Sequence, residues 1–143
     1  MVYAKENAKT EADVAGLSGR VVKSLNKPKI CGKVVYGGSK HLAQVILAAI
    51  KYNKRFRAAV NIKASKEILK ALKRLGLSIR EVPRIKSKCP IADFIQKEGK
   101  VYRVYYHPGD YGIEPSIVIL AEKPQELVEI LYKISTQIRK EHF

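Results

Sequence analysis

The strongest chemical signal in the sequence is a glycine turn that leads from a strand-like run into a helical one. Glycine lets a ligand approach the backbone closely, and the unpaired N–H groups at a helix start attract phosphate. A lysine and a histidine at the same place add a charge and hydrogen-bond donors. The spacing of a Walker A loop is absent, and a tight turn with an ordinary helix cap is an equal alternative. The segment consists of Gly37, Gly38, Ser39, Lys40 and His41.

Two further segments place polar groups where open α/β sheets usually bind ligands. One joins a predicted strand to a predicted helix and carries Asn61, Lys63 and Ser65. The other is a loop between two predicted strands, and its two glycines and two prolines make it rigid, which suits a binding loop. Its candidate positions are Gly109, Asp110, Gly112 and Glu114.

The carboxylates of the third segment could bind a hydroxyl, an amine or a magnesium ion. Hydrogen bonding within the turn is the alternative for Asp110 or Glu114. The sequence does not fix their separation in space, so the two do not by themselves form an acid/base pair. The signatures of serine hydrolases and zinc proteases are absent. Cys31 and Cys89 show no metal-ligand spacing and are expected to be reduced packing residues.

The charge balance favours anionic partners. Twenty-eight lysines and arginines against 13 acidic residues give a net charge of +15, which suits phosphorylated metabolites, nucleic acids or acidic surfaces. Many lysines lie on the outer faces of predicted helices, where a solubilising surface is the better interpretation. No apolar run approaches the roughly 18 residues of a membrane helix, and the first ten residues lack a signal-peptide core, so we expect a cytoplasmic protein.

The elements that position these segments are helices interleaved with strands, which predicts a three-layer α/β/α fold. Neighbouring strands near both ends of the chain favour a mixed sheet. We expect one domain over residues 1–143, with residues 1–9 flexible. Helices are predicted over Thr10–Leu17, Lys40–Tyr52, between Ser65 and Gly76, over Pro90–Gln96 and over Pro124–Lys140, and strands over Arg20–Leu25, Ile30–Tyr36, Ala58–Ile62, Ser78–Val82, Val101–Tyr106 and Ser116–Leu120.

In order and spacing, these pieces resemble the archaeal ThiN-type thiamine-phosphate synthase domain. The resemblance runs from about Glu11 to Ile134 and is carried by GRVV, YGGSKHLAQVILAAI, FRAAVNIKAS, EILKALKRLGL and, most specifically, GDYGIEPSIVIL. It implies a fold similar to that of the class II aldolase group and of the C-terminal domain of hydroxymethylpyrimidine-phosphate kinases, often dimeric. The implied reaction joins hydroxymethylpyrimidine pyrophosphate to a thiazole phosphate, with magnesium as the possible cofactor. The implied ligand site falls on the same three segments, with His41 and Lys63 as the catalytic candidates.

The chain departs from the usual pattern of that family at several positions. Lys63 replaces an arginine, which keeps the charge but loses the bidentate fork for a pyrophosphate. His107 replaces an aspartate, Ile113 and Val118 replace basic residues, and the stretch 84–94 is shortened. Losing charged ligands weakens transition-state stabilisation more than binding. Two functions therefore remain open: a synthase, or a non-catalytic module that binds thiamine phosphates. Nucleic-acid binding through the basic surface is a weaker third possibility.

Overall fold

A seven-stranded mixed sheet forms the centre of the computed structural model, which describes residues 1–25 and 27–141, with the backbone alone at residues 20–23, 27–28 and 140–141. The strands are β1 (Val2–Ala4), β2 (Val14–Leu17), β3 (Arg20–Ser24), β4 (Lys27–Cys31), β5 (Val34–Tyr36), β6 (Ala58–Lys63), β7 (Ile79–Glu81), β8 (Val104–His107) and β9 (Ser116–Ala121). The helices are α1 (Lys40–Tyr52), α2 (Lys66–Arg74), α3 (Pro90–Glu98) and α4 (Pro124–Glu141).

The strand order of the large sheet is β5-β2-β1-β6-β9-β8-β7, and β3 with β4 forms a separate hairpin. All neighbours in the large sheet are antiparallel except β7 and β8. Helices cover both faces: α1 and α3 pack on a core that includes Ala59 and Tyr105, and α2 and α4 pack on one that includes Ala58 and Val60. The predicted three-layer α/β/α fold with a mixed sheet is confirmed.

Alternation along β6 divides its residues between the two cores, because successive side chains of a strand point to opposite faces. Ala59 lies in the core under α1, whereas Ala58 and Val60 lie in the core under α2 and α4. None of the helices within the described residues is long and apolar enough to cross a membrane.

The prediction of a helix over Thr10–Leu17 is wrong. Only Glu11–Asp13 forms a single 3-10 turn, and the rest of the stretch is β2. Val14 and Gly16 are both buried on one face of that strand and pair with β1. Pairing with a distant strand decides the conformation of these four residues, and local propensity does not reveal it.

The sequence led us to expect flexibility over residues 1–9, but three of these residues form a strand of the large sheet. Val2–Ala4 forms β1, which lies between β2 and β6. Val2 and Ala4 are each only 2% exposed. A strand of three residues is too short to give a periodicity signal, and the polar residues that follow it conceal it further.

The single strand predicted over Ile30–Tyr36 is also wrong. Gly32 adopts a positive φ of 108°, a conformation that few other residues tolerate. The chain therefore leaves the hairpin strand β4 at Cys31 and joins the large sheet as β5 at Val34. The other predicted elements are confirmed to within three residues at each end.

Candidate functional site

The side chains of Asn61 and Lys63 lie on the face of the sheet that α1 and α3 cover. Ala59 lies in the core under α1, and residues two and four positions further along the same strand point the same way. Asn61 and Lys63 are nevertheless exposed, whereas Ala59 is fully buried. The helix layer therefore ends before the strand does, and we call the uncovered end of β6, with the strand ends beside it, the shelf.

The register of the sheet locates the start of α1 relative to the shelf. A Cβ built on Gly16 would lie 3.0 Å from the Cβ of Ser39, so the helix starts above Gly16. Val2 pairs with Gly16 on one side and with Ala59 on the other. At about 3.3 Å per residue, Lys63 lies about 13 Å further along the sheet than the level at which α1 begins.

The first turn of α1 presents backbone donors without a capping side chain. The earliest helical hydrogen bond runs from the Ala43 amide to the Ser39 carbonyl, at 3.3 Å. The Ser39 hydroxyl makes no cap hydrogen bond, although its sequence position predicts one. The amides of Lys40, His41 and Leu42 consequently have no hydrogen-bond acceptor among the described residues. Such a helix start carries a partial positive charge and suits an anion.

The two glycines before this turn serve the packing of the chain. The Gly37 amide donates to the Val14 carbonyl at 3.0 Å, and the Gly38 amide donates to the Val35 carbonyl at 3.3 Å. A side chain on Gly38 would collide with the carbonyl of Gly16. Neither glycine amide is free for a ligand, so the backbone donors of the predicted anion site are the amides of Lys40, His41 and Leu42.

The second and third segments meet at the end of the sheet. Lys63 pairs with Ser116, and the Ala64 amide donates to the Pro115 carbonyl at 3.2 Å. The hydroxyl of Ser65 accepts a hydrogen bond from the Ile68 amide at 3.2 Å, so the predicted cap of α2 is confirmed. Within the described part of the chain, no hydrogen bond or ion pair joins the first segment to the second or the third. The first segment faces the other two across the shelf.

The third segment contains a tight turn in which Asp110 is held by its own neighbours. Asp110 and Ile113 exchange both backbone hydrogen bonds, at 3.1 and 2.9 Å. The Asp110 carboxylate accepts from the Tyr111 amide at 2.7 Å, which is the turn-bonding alternative that the sequence left open. Gly109 and Gly112 both have positive φ, of 88° and 75°. Glu114 is exposed beside this turn.

His107 lies at the end of β8, on the face of the sheet that α1 and α3 cover. It is the only buried polar or charged side chain among the described residues, at 3% exposure. Its Nδ1 accepts a hydrogen bond from the Gly109 amide at 3.0 Å. Burial lowers the pKa of His107; Asp110 opposes this shift and Arg84 adds to it. The imidazole is therefore neutral at pH 7 and carries its proton on Nε2.

Replacing His107 with asparagine should flatten the pH dependence of stability. The unfolded chain takes up the proton near pH 6.5 and the folded chain only at lower pH. The free energy of unfolding therefore decreases as the pH falls below about 6.5. Asparagine keeps an acceptor for the Gly109 amide and does not titrate. Urea unfolding at about pH 7.5 and about pH 5.5 measures the difference. An identical pH dependence in both proteins would contradict this assignment.

Arg84 is a cation near the site that sequence reasoning did not select. The Val82 amide donates to the Tyr106 carbonyl at 2.8 Å. The segment after β7 therefore continues alongside β8 towards the end of that strand. Arg84 and Pro108 then border one open cavity of about 540 Å³. The signal available in the sequence was only a basic residue after Pro83 at a strand end.

A second helix start lies beside the first. The Cys89 thiol is 3.9 Å from the His41 carbonyl oxygen, and at the other end the Tyr52 hydroxyl donates to the Gln96 carbonyl at 3.4 Å. The two helices therefore run parallel, and α3 begins next to α1. Burial raises the pKa of Cys89, so it is a protonated thiol at neutral pH and an unsuitable nucleophile.

The metal-ligand chemistry of this region is sparse. Within the described residues, no group of three or more histidine, cysteine, aspartate or glutamate side chains could hold a metal ion. Asp110 and Glu114 are the carboxylates of the third segment. Magnesium commonly binds through one or two carboxylates together with substrate phosphates, and this donor set fits that mode.

Comparisons with known proteins agree with the fold. The family model "Thiamine-phosphate synthase ThiN" matches residues 1–133. The bifunctional thiamine biosynthesis protein ThiDN of Methanocaldococcus jannaschii is 36% identical over 132 residues, which cover 85% of this chain and 32% of that protein. The chain thus spans about a third of the length of that relative. The thiamine-phosphate synthase ThiN of Methanothermobacter thermautotrophicus is 26% identical over 146 residues, 94% of this chain and 77% of that protein.

Two crystal structures have the same fold. The C-terminal domain of protein MJ0236 superposes with a TM-score of 0.84 at 29% identity, covering 97% of this chain and 81% of that chain. The C-terminal domain of a phosphomethylpyrimidine kinase gives a TM-score of 0.81 at 30% identity, covering 93% and 82%. Because the family match covers nearly the whole length, the chain belongs to the ThiN family of thiamine-phosphate synthases.

Proposed function

We propose that this ThiN domain binds phosphorylated thiamine precursors on the shelf and joins hydroxymethylpyrimidine pyrophosphate to thiazole phosphate. The observation that carries the proposal is the start of α1, whose first amides have no capping side chain and face a shelf that bears Lys63. Amides and an ammonium group on opposite sides of an open surface suit a ligand with two phosphate groups.

The reaction requires the stabilisation of a leaving group. The thiazole nitrogen attacks the pyrimidine methylene carbon, the bond from that carbon to the pyrophosphate oxygen breaks, and the electron pair leaves with pyrophosphate. The nitrogen becomes a thiazolium and no proton has to move. Lys63, Lys40 and the α1 amides would neutralise the charge that develops on the leaving oxygen. His41, exposed in the first turn of α1, would donate a hydrogen bond to the same group.

Magnesium, carried in with the pyrophosphate, would neutralise further charge on the leaving group. Asp110 is the residue of this chain that would approach such an ion. Its carboxylate is oriented by the Tyr111 amide, so its position depends on the turn at Gly112.

A specific observation favours the second candidate, a module that binds thiamine phosphates without making them. Val118 pairs directly with Asn61 and is 1% exposed, so an apolar side chain occupies the position where the family pattern has an arginine. Ile113 leaves another charge out of the third segment. Arg84 supplies one cation nearby, and whether that suffices for catalysis distinguishes the two candidates.

One pair of measurements tests the proposal. The purified protein is incubated with both substrates and magnesium, and thiamine phosphate is quantified against a blank without protein. Calorimetry with thiamine phosphate is run in parallel. Product formation supports the synthase, whereas heat without product supports the binding module. Neither product nor heat would overturn both.

We also propose that the domain forms a homodimer through β5, the edge strand. The Lys33 carbonyl and the Gly37 amide bond inward to β2, so in the antiparallel pattern the N–H and C=O groups of Val34 and Tyr36 point outward. Both side chains are exposed, at 74% and 58%. Two copies can pair along these strands around a two-fold axis.

Replacing Val34 with lysine should shift this dimer to monomer, because each copy would bring a lysine close to the two-fold axis and like charges on paired strands repel. Sedimentation velocity measures the change. Val128, exposed on α4 at 57%, gives the matched control when it is replaced with lysine. A monomeric natural protein, or equal behaviour of both variants, would refute the β5 interface.

A further inference from the structure

A cavity of about 550 Å³ lies at the other end of the strands from the shelf. It is formed where α1 ends, where the chain enters β6, and where β1 and β9 end. The six residues of β6 separate it from Lys63 by about 20 Å. We call it the basic cavity. Its charged lining residues are Lys5, Glu6, Lys9, Lys51, Lys54, Arg55, Arg57, Glu122 and Lys123.

The charge of the basic cavity is unbalanced. Seven basic and two acidic side chains line it, a surplus of five positive charges. Both carboxylates are already engaged, Glu122 with Arg55 and Glu6 with Arg57, each at 3.9 Å. Lys9, Lys51, Lys54 and Lys123 have no carboxylate within ion-pair distance among the described residues. The position of Lys51 is also explained by the favourable interaction of a cation with the C-terminal end of α1. That interaction does not explain the positions of the other three lysines.

The basic cavity has apolar surface on both sides of the strand ends, and one cation is fixed in place. Ala8 and Ile50 are half-buried against the core under α1, whereas Tyr3 is half-buried against the core under α2 and α4. Arg57 donates from Nε to the Ala4 carbonyl at 3.0 Å, and its guanidinium lies 4.9 Å from the centroid of the Tyr3 ring. A guanidinium held at two points loses less entropy when it binds a further acceptor than a free side chain does.

We propose that the basic cavity is a second anion site, which binds a small molecule with two or more phosphate groups and a flat apolar part, of the nucleotide class. Its volume lies within the range of small-molecule sites, about 300–1,000 Å³. The apolar side chains of Ala8 and Ile50 would contact the flat part, and the surrounding lysines would contact the phosphates. A polynucleotide needs a positive groove that continues along the surface, whereas Glu6 and Glu122 flank this cavity. The site is separate from the shelf and does not depend on the proposed synthase reaction.

The test is a fluorescence titration with ADP that carries an N-methylanthraniloyl group. Lys51→Gln combined with Lys54→Gln should raise the dissociation constant about tenfold, which corresponds to about 1.4 kcal/mol. Lys70→Gln combined with Lys73→Gln removes the same charge from the exposed face of α2 and should change it less than about twofold. Lys63→Gln should also leave the affinity unchanged.

Four outcomes would overturn the proposal. The first is no binding of the labelled ADP by the natural protein. The second is an equal loss in both double variants, which would reflect net charge alone. The third is a loss confined to Lys63→Gln, which would place the probe on the shelf. The last is tighter binding of a single-stranded oligonucleotide of about 20 nucleotides with the same sensitivity to Lys51 and Lys54, since the ligand would then be a nucleic acid.

Discussion

In the proposed synthase reaction, replacing Lys63 with glutamine is expected to lower the rate of thiamine phosphate formation by about 10² to 10³ and to leave the free energy of unfolding unchanged. Lys63 is exposed and has no ion-pair partner among the described residues, so its replacement breaks no ion pair. Its charge would act on the pyrophosphate most strongly as the carbon–oxygen bond breaks, so we expect kcat to change more than KM. Single-turnover product formation measures the effect, and urea unfolding is the control.

Lys63→Arg is the informative partner of this variant. Arginine restores the planar fork that binds two phosphate oxygens at once, so the rate should equal or exceed that of the natural protein. If the domain is a binding module, the same pair is read by calorimetry: glutamine should weaken thiamine phosphate binding and arginine should restore it. Unchanged rate and unchanged affinity in Lys63→Gln would remove Lys63 from the site.

The second large effect is expected from Gly38→Ala. The new methyl group would collide with the carbonyl of Gly16, a backbone atom that cannot move aside. We expect a loss of about 3 kcal/mol in the free energy of unfolding, or about 10 °C in the melting temperature. Because Gly38 directly precedes the start of α1, the remaining folded protein should also bind phosphate ligands more weakly.

Gly37→Ala is the matched control for this variant. Gly37, unlike Gly38, has a positive φ, of 75°, but a methyl group there would meet no atom within 4 Å beyond its chain neighbours. Only the backbone conformation is penalised, by about 1 kcal/mol. Thermal unfolding of the two variants compares them directly. Equal losses would show that the close approach of Gly38 to β2 does not matter.

Local signals predicted the ends of α1, α2, α3 and α4 well, whereas the helix predicted over Thr10–Leu17 was wrong. The strand-to-helix junctions at Ser39 and Ser65 were found because capping residues and apolar spacing both act within a few residues. The order of helices and strands was enough for the three-layer fold. The second and third segments meet at one end of the sheet because the end of β6 and the start of β9 are adjacent in an antiparallel pair, which the order of elements alone does not predict.

Long-range effects explain what the sequence did not reveal. β1 and β2 depend on pairing between residues that no local window joins, and so does the placement of Arg84 near His107. The glycines were interpreted as giving access to a ligand, yet Gly38 is required by the carbonyl of Gly16, from a strand that had been predicted as helix. The sequence could not predict that the Ser39 hydroxyl makes no cap hydrogen bond, because serine is a favourable N-cap residue.

The helix α1 reaches from the shelf to the basic cavity, and its length therefore sets the spacing of the two. Its 13 residues span about 20 Å. Insertion of a single residue within it would rotate all that follows by about 100° and would bury Lys51 or expose an apolar neighbour. Surface loops in this domain can gain or lose residues as sequences diverge. We expect α1 to keep its number of residues wherever the shelf and the basic cavity both bind ligands.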